Sequence, residues 1–258
     1  MSVMIHPTAI VSPRAEIGSG VVIGPFAVVE ENVLIGGGSS IGHGAHIAWG
    51  ARIGENVKVF PHAVVGTIPQ DLKFGGEETT LEIGDRTVIR EFVTLNRGTE
   101  AHRKTVVGSD CFLMAYSHVA HDCAVGNHCI LANCATLAGH VTVEDWVIIG
   151  GLVPIHQFVR IGCHAMVGGG WRVPKDVPPY TIAAGDPLKP IDINTIGLER
   201  RGFDKETISR LKKAHRILFR SKLDMSRALA ELDALGDMGP EVSHLREFIA
   251  TSERGVIM

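Results

Sequence analysis

The chain has 258 residues, of which 30 are Gly, with 45% hydrophobic and only 5% aromatic content and a formal net charge of −3. The aliphatic content excludes a disordered chain, and the lack of Gly at every third position excludes a collagen-like one. The near-balanced charge carries no nucleic-acid signature, and no apolar run approaches the ~20 residues of a membrane-spanning helix.

Met1-Ser-Val-Met-Ile-His-Pro has no basic stretch leading into an apolar one, so no secretory signal is expected. The five cysteines (111, 123, 129, 134 and 163) are odd in number and confined to mid-chain. They read as reduced thiols of a cytoplasmic protein, and Cys134 and Cys163 have no spaced Cys partner of the kind zinc sites use.

From Ile5 onward an aliphatic residue recurs every six positions. Of the 29 positions in that phase between 5 and 173, 26 are Ile, Leu or Val; the exceptions are Asp71, Glu77 and Ala101. These fall in two segments, 66–82 and 97–105, that read as loops inserted into the repeat. The residue after the aliphatic is often Gly, and the one four positions on is small or β-branched, as at Ala9, Ala27, Ala45 and Ala63. Cys111, Cys123 and Cys129 take that small inward position. A period of six fits neither an amphipathic helix nor an alternating strand. It predicts a mainly β chain, a parallel β-helix with three hexapeptides per coil of eighteen residues. About nine coils stacked ~4.8 Å apart make a prism roughly 45 Å long, with Gly easing the corners and an interior too narrow for rings.

The pattern changes after residue 186, so residues 1–186 are expected to form the β-helix and 187–258 a C-terminal α-helical domain capping its last coil. Helices are predicted to open at Asp204, Asp224 and Pro240, the first carrying Ile208, Leu211, His215 and Leu218 at helical spacing. Residues 200–222 hold nine Lys or Arg against Asp204 and Glu206. That surplus is either a solvated helix face or a dock for an acidic partner.

Residues eighteen apart stack on successive coils. One coil beyond His121 is position 139, next to His140; another is 157, next to His156. Histidines thus line one edge, with His118 three residues before His121. Moving an acyl group onto an alcohol needs a base to take its proton, and imidazole suits that task near neutral pH. Asp122 could orient the His121 ring if a corner bends the chain between them.

Several blocks narrow the reading: Asp71-Leu-Lys73, Thr94-Leu-Asn-Arg-Gly-Thr99, His118-Val-Ala-His121-Asp122, Ala138-Gly-His140, His156-Gln157-Phe158, Asp176-Val-Pro-Pro-Tyr180 and Arg200-Arg-Gly-Phe203. Over essentially the whole chain they resemble the UDP-N-acetylglucosamine acyltransferases, which open lipid A biosynthesis and belong to the hexapeptide-repeat acyltransferases. The resemblance implies a left-handed coil, a homotrimer with sites between subunits, a UDP-sugar acceptor and a 3-hydroxyacyl donor on acyl carrier protein. It implies no cofactor and no metal. It makes His121, with Asp122, the general base and places the Gly139 N–H at the oxyanion. It assigns His118, His140, His156, Gln157, Asp71 and Lys73 to sugar, phosphate and acyl groups, and Asn194, Arg200 and Arg201 to the nucleotide. Gly169 matches a position limiting acyl depth, where Gly implies a longer chain, with Trp171 nearby.

The chain departs from the family's pattern at Asn96, where many members carry His in the acceptor pocket, and at Ile196, where an acidic residue is usual. The accepting atom thus stays open between the sugar 3-hydroxyl and the amine of a 3-amino analogue. Other readings of the histidine edge are a metal site like that of hexapeptide-repeat carbonic anhydrases, and an acetyl-CoA-dependent sugar acetyltransferase. A later N-acyltransferase of the same pathway normally has a further N-terminal domain, for which a repeat starting at Ile5 leaves no room. A passive scaffold would need neither the histidine edge nor the long loop.

Overall fold

The computed structural model describes residues 2–258. Three sheets of 11, 8 and 8 short strands, parallel except for the last strand of the first, form the faces of a left-handed triangular prism. Strand partners are eighteen residues apart: Met4 pairs with Val22, Ile10 with Val28 and Glu16 with Leu34. The in-phase aliphatics fill the interior, where Ile23, Ile35, Leu95, Leu131 and Ile149 are fully buried. The small residues pack between them, Ala27, Ala45 and Ala63 at 0% exposure and Cys129 likewise. Such an interior is the main favourable term for a chain with so few rings.

The two insertions preserve this packing because each is a multiple of six. Lys58 pairs with Val88 and Val88 with Phe112, giving coils of 30 and 24 residues, 12 and 6 more than the regular eighteen. The aliphatic phase therefore survives both loops. The loops are shorter than the sequence suggests: pairing runs through Thr67, resumes at Thr80, and resumes again at Lys104.

The expected role of Gly at the corners is corrected. Apart from Gly66, the glycines that follow the aliphatics have no positive φ. They are required by close approach between coils, since a Cβ on Gly36 would lie 2.5 Å from the Gly54 backbone and one on Gly108 2.5 Å from Gly126 O. The left-handed turn residue comes two positions later, and it is mostly not Gly. Asn32, Asn56, His62, Asp122, His128, His140 and His164 all sit there with φ between 53° and 63°. Asn, Asp and His tolerate that region better than most L-residues. The same corner position also holds Phe26, Phe92, Tyr116, Trp146, Leu152 and Phe158, so the coil imposes this conformation on residues of every type.

At the far end Thr181–Ala184 extends the first sheet in parallel, and Lys189–Ile193 adds to it antiparallel. Four helices follow: α1 (Thr195–Arg200), α2 (Lys205–Arg220), α3 (Met225–Asp233) and α4 (Pro240–Ala250). The three predicted starts hold. Asp204 accepts from Thr207 N at 2.7 Å and Asp224 from Arg227 N at 2.9 Å, while Pro240 opens α4, where a missing N–H costs nothing. The short α1 was not foreseen. The helices bury Leu211, Leu218, Leu245 and Phe248 with Tyr180 from the last coil, and Ile257 returns to the prism interior.

Candidate active site

His121 precedes the left-handed corner residue Asp122 (φ 59°), and the bend turns both side chains to the same edge. His121 Nδ1 lies 2.8 Å from Asp122 Oδ2, with the two side chains 13% and 0% exposed. The carboxylate accepts three further hydrogen bonds: from Thr99 N at 3.0 Å, His102 N at 3.2 Å and Thr99 Oγ1 at 2.6 Å. Burial alone would push the Asp122 carboxyl up, but the bonds from Thr99, His121 and His102 outweigh it and hold the group below the usual carboxylate range. An ionised Asp122 fixes the proton of His121 on Nδ1 and leaves Nε2 as the free lone pair. That nitrogen faces the next coil at Gly139, where a Cβ would come within 2.7 Å of it.

His140 occupies the corner one coil beyond Asp122. Its ring meets His121 edge-on at 5.1 Å and stacks on Phe158 at 4.5 Å. Burial lowers its basicity, and its Nδ1 is enclosed without a hydrogen-bond partner. His118 is held by Thr94 Oγ1 at 2.7 Å, and burial depresses it as well. His156 Nδ1 lies 3.2 Å from an Arg254 guanidinium nitrogen, a neighbour 98 residues away that no sequence pattern predicts. Gln157 shares the stacking row of His121 and Gly139. Asp71 is near enough to His140 to raise its basicity, and it accepts the Lys73 backbone N–H at 2.9 Å.

The second inserted loop is therefore part of the site. Thr99 and His102 hold Asp122, while Thr105 Oγ1 accepts its backbone N–H at 2.8 Å. The one sequence signal was that this insertion lies a coil before the histidine block. A metal could reach His121, Asp122 and His140, whose ligand atoms lie within 4.8 Å of one another. An ion there would compete for Asp122 with the four hydrogen bonds that its carboxylate accepts.

Not every expected residue joins this cluster. Asn96 is 2% exposed; its amide nitrogen donates to Ile68 O at 2.9 Å and Thr67 Oγ1 at 3.1 Å, tethering the first loop. Asn194 caps α1, accepting from Gly197 N at 3.2 Å and donating to His164 O at 2.9 Å. Arg201 sits at a different corner, its guanidinium over the Trp146 ring and 3.3 Å from His164 Nδ1. Arg200 ends α1 nearby and is exposed. Gly169 is exposed on the coil beyond Gly151.

Residues 176–257 match the second domain of UDP N-acetylglucosamine O-acyltransferase, and residues 26–61 and 104–139 match the bacterial transferase hexapeptide repeat. The chain is 48% identical to the acyl-(acyl-carrier-protein)–UDP-N-acetylglucosamine O-acyltransferase of Herminiimonas arsenicoxydans, covering 98% of this chain and 99% of that one. It is 51% identical to the enzyme of the same name from Burkholderia lata, over 98% of both. The solved UDP-N-acetylglucosamine acyltransferase of Bacteroides fragilis superposes with a TM-score of 0.96 at 46% identity, over 99% of this chain and 100% of that one. With near-full-length identity of 48–51% to these enzymes and the same coil, the chain belongs to the UDP-N-acetylglucosamine O-acyltransferase family.

Proposed function

We propose that the protein transfers a 3-hydroxyacyl chain from the thioester of acyl carrier protein to the 3-hydroxyl of UDP-N-acetylglucosamine, the first step of lipid A biosynthesis. The observation that carries the reading is the 2.8 Å bond between His121 Nδ1 and the fully buried Asp122 carboxylate, with Nε2 turned to Gly139. His121 Nε2 takes the hydroxyl proton as the oxygen attacks the thioester carbonyl. The negative charge that builds on the thioester's carbonyl oxygen is met by the Gly139 N–H. Collapse breaks the C–S bond, and the His121 imidazolium, stabilised by Asp122, returns its proton to the departing thiolate.

His118, His140, His156, Gln157, Asp71 and Lys73 surround the acceptor and the acyl ester, and Gly169 leaves depth for the chain. Arg200 and Arg201 hold the nucleotide phosphates, where guanidinium forks match phosphate oxygens. Asn96 and Asn194 act indirectly, Asn96 by tethering the first loop and Asn194 by starting the helix that carries Arg200. Arg201 and the His121 edge lie on different corners of the prism, so one copy's dyad faces another copy's arginines in a homotrimer. The exposure of Phe26 (68%), Tyr116 (59%) and Leu152 (68%) on one chain supports such association. The basic surface of residues 200–222 receives the acidic carrier protein. No described helix is long and apolar enough to cross a membrane, and we place the enzyme in the cytoplasm, where its donor is made.

The test offers hydroxyacyl-loaded carrier protein with UDP-N-acetylglucosamine or its 3-amino analogue, beside His121→Ala. Transfer to the hydroxyl sugar that is lost in the variant is the expected result. Transfer to the amino sugar alone would keep the base and change the acceptor. No transfer by a folded trimer would refute the reading.

A further inference from the structure

A second cluster of chemically capable side chains lies away from the His121 edge, where the prism meets α4. Glu144 follows the strand Thr142–Val143, Cys163 follows Arg160–Ile161 one coil later, and His244 comes from α4. Glu144 Oε2 is 2.8 Å from His244 Nε2 and accepts the Cys163 backbone N–H at 2.7 Å. One sulfur, one imidazole nitrogen and one carboxylate oxygen thus lie within 4.8 Å of one another. Glu144 and His244 also line a 360 Å³ cavity with Glu247 and Phe248, so the cluster is reachable from solvent.

We propose that Glu144, Cys163 and His244 form a binding site for one zinc-class divalent cation that ties α4 to the last coils of the prism. A thiolate, an imidazole and a carboxylate are the donors that zinc or cobalt takes, whereas magnesium and calcium demand oxygen throughout. Bond lengths of about 2.0–2.3 Å in a tetrahedron separate neighbouring ligand atoms by roughly 3.4 Å. The Glu144–His244 pair need open by only about 0.6 Å to admit the ion. The ion replaces the proton that this pair shares and the thiol proton of Cys163, both of which leave to solvent. The fourth position faces the cavity and takes water or the Glu247 carboxylate. Arg160 lines the same cavity and its charge reaches Glu144, but its guanidinium is held by Phe248 O at 2.8 Å and lies 3.7 Å from Asp176. The ion would close a span of 100 residues between Glu144 and His244, and binding only the folded chain it would stabilise the helical cap by mass action.

The experiment uses the whole purified chain, stripped with chelator and then titrated with cobalt, zinc or magnesium chloride. The expected result is one cobalt ion per chain with a thiolate-to-metal charge-transfer band in the near ultraviolet, a rise in Tm with zinc, and no response to magnesium. Cys163→Ser should abolish the band, and His244→Gln should weaken binding by about 100-fold or more, beyond the loss from removing an outer-shell partner. In chelator His244→Gln lacks the 2.8 Å contact with Glu144 and should melt below the parent, so the zinc-dependent rise of each protein above its own Tm in chelator is compared, and it should vanish in both variants. Cobalt binding without the band, binding lost in His140→Ala but kept in Cys163→Ser, or no binding at all would each overturn the proposal.

Discussion

The imidazole of His121 occupies the space that a side chain at position 139 would need: a Cβ on Gly139 would lie 2.6 Å from its Cε1 and 2.7 Å from its Nε2. The dyad and the glycine are thus one device, set by the stacking of coils eighteen residues apart. In Gly139→Ala the ring swings away while its backbone stays in the ladder. We expect kcat to fall about 100-fold, the cost of an ångström-scale misplacement, with little change in Tm. A large fall in Tm with normal turnover per folded chain would contradict this.

Asp122→Asn tests the proton geometry. The two backbone N–H groups of Thr99 and His102 fix the remaining oxygen at the Oδ1 place. The new amide must then donate toward His121 Nδ1, which forces the proton onto Nε2 and removes the base. A loss in kcat of about 10⁴-fold is expected, as for the same change in a Ser-His-Asp triad. Circular dichroism should stay that of the parent, and rate retained within tenfold would argue against the dyad.

Asn96→Ala removes the tether on the first loop. Its lost bonds to the half-buried Thr67 and the exposed Ile68 let water take their place, at a cost of about 1 kcal/mol. Limited proteolysis should cut the loop faster and KM for the acceptor should rise, with the preference between hydroxyl and amino sugars unchanged. A switch in acceptor preference would instead give Asn96 a direct contact with the sugar.

His164 carries the clearest pH signature. Burial, with the Arg201 charge beside it, holds its imidazole down at about 4 against an ordinary value of 6.5. The unfolded chain therefore binds more protons than the folded one between those values, so the stability present above pH 6.5 is lost progressively as pH falls to about 4. His164→Phe keeps the stacking between Trp146 and Tyr180 but cannot titrate. The drop in Tm between pH 7.5 and pH 5 should be smaller in the variant, and an equal drop would assign the acid sensitivity to other groups.

The repeat was legible because each coil meets only its neighbours. Every inward aliphatic from Ile23 to Val173 obeys the same local steric rule, and insertions of 12 and 6 residues leave it in phase. Helix starts at Asp204, Asp224 and Pro240 were equally local, since an Asp cap bonds within its own first turn and Pro at the first position needs no N–H. The edge of His118, His121, His140 and His156 followed from the eighteen-residue stacking and the family's blocks.

Tertiary structure decided what that local rule leaves free. The left-handed corner turned Asp122 back onto His121 and placed it under Thr99 and His102 from an inserted loop. Packing made Asn194 a helix cap and Asn96 a loop tether, though each is an ordinary polar residue in the sequence. It also set Cys163, which has no cysteine partner by spacing, beside Glu144 and a histidine 81 positions further along the chain. Periodicity fixes which face a residue points to, but contacts between a coil and a distant helix depend on how two separate cores dock, and no local pattern records that.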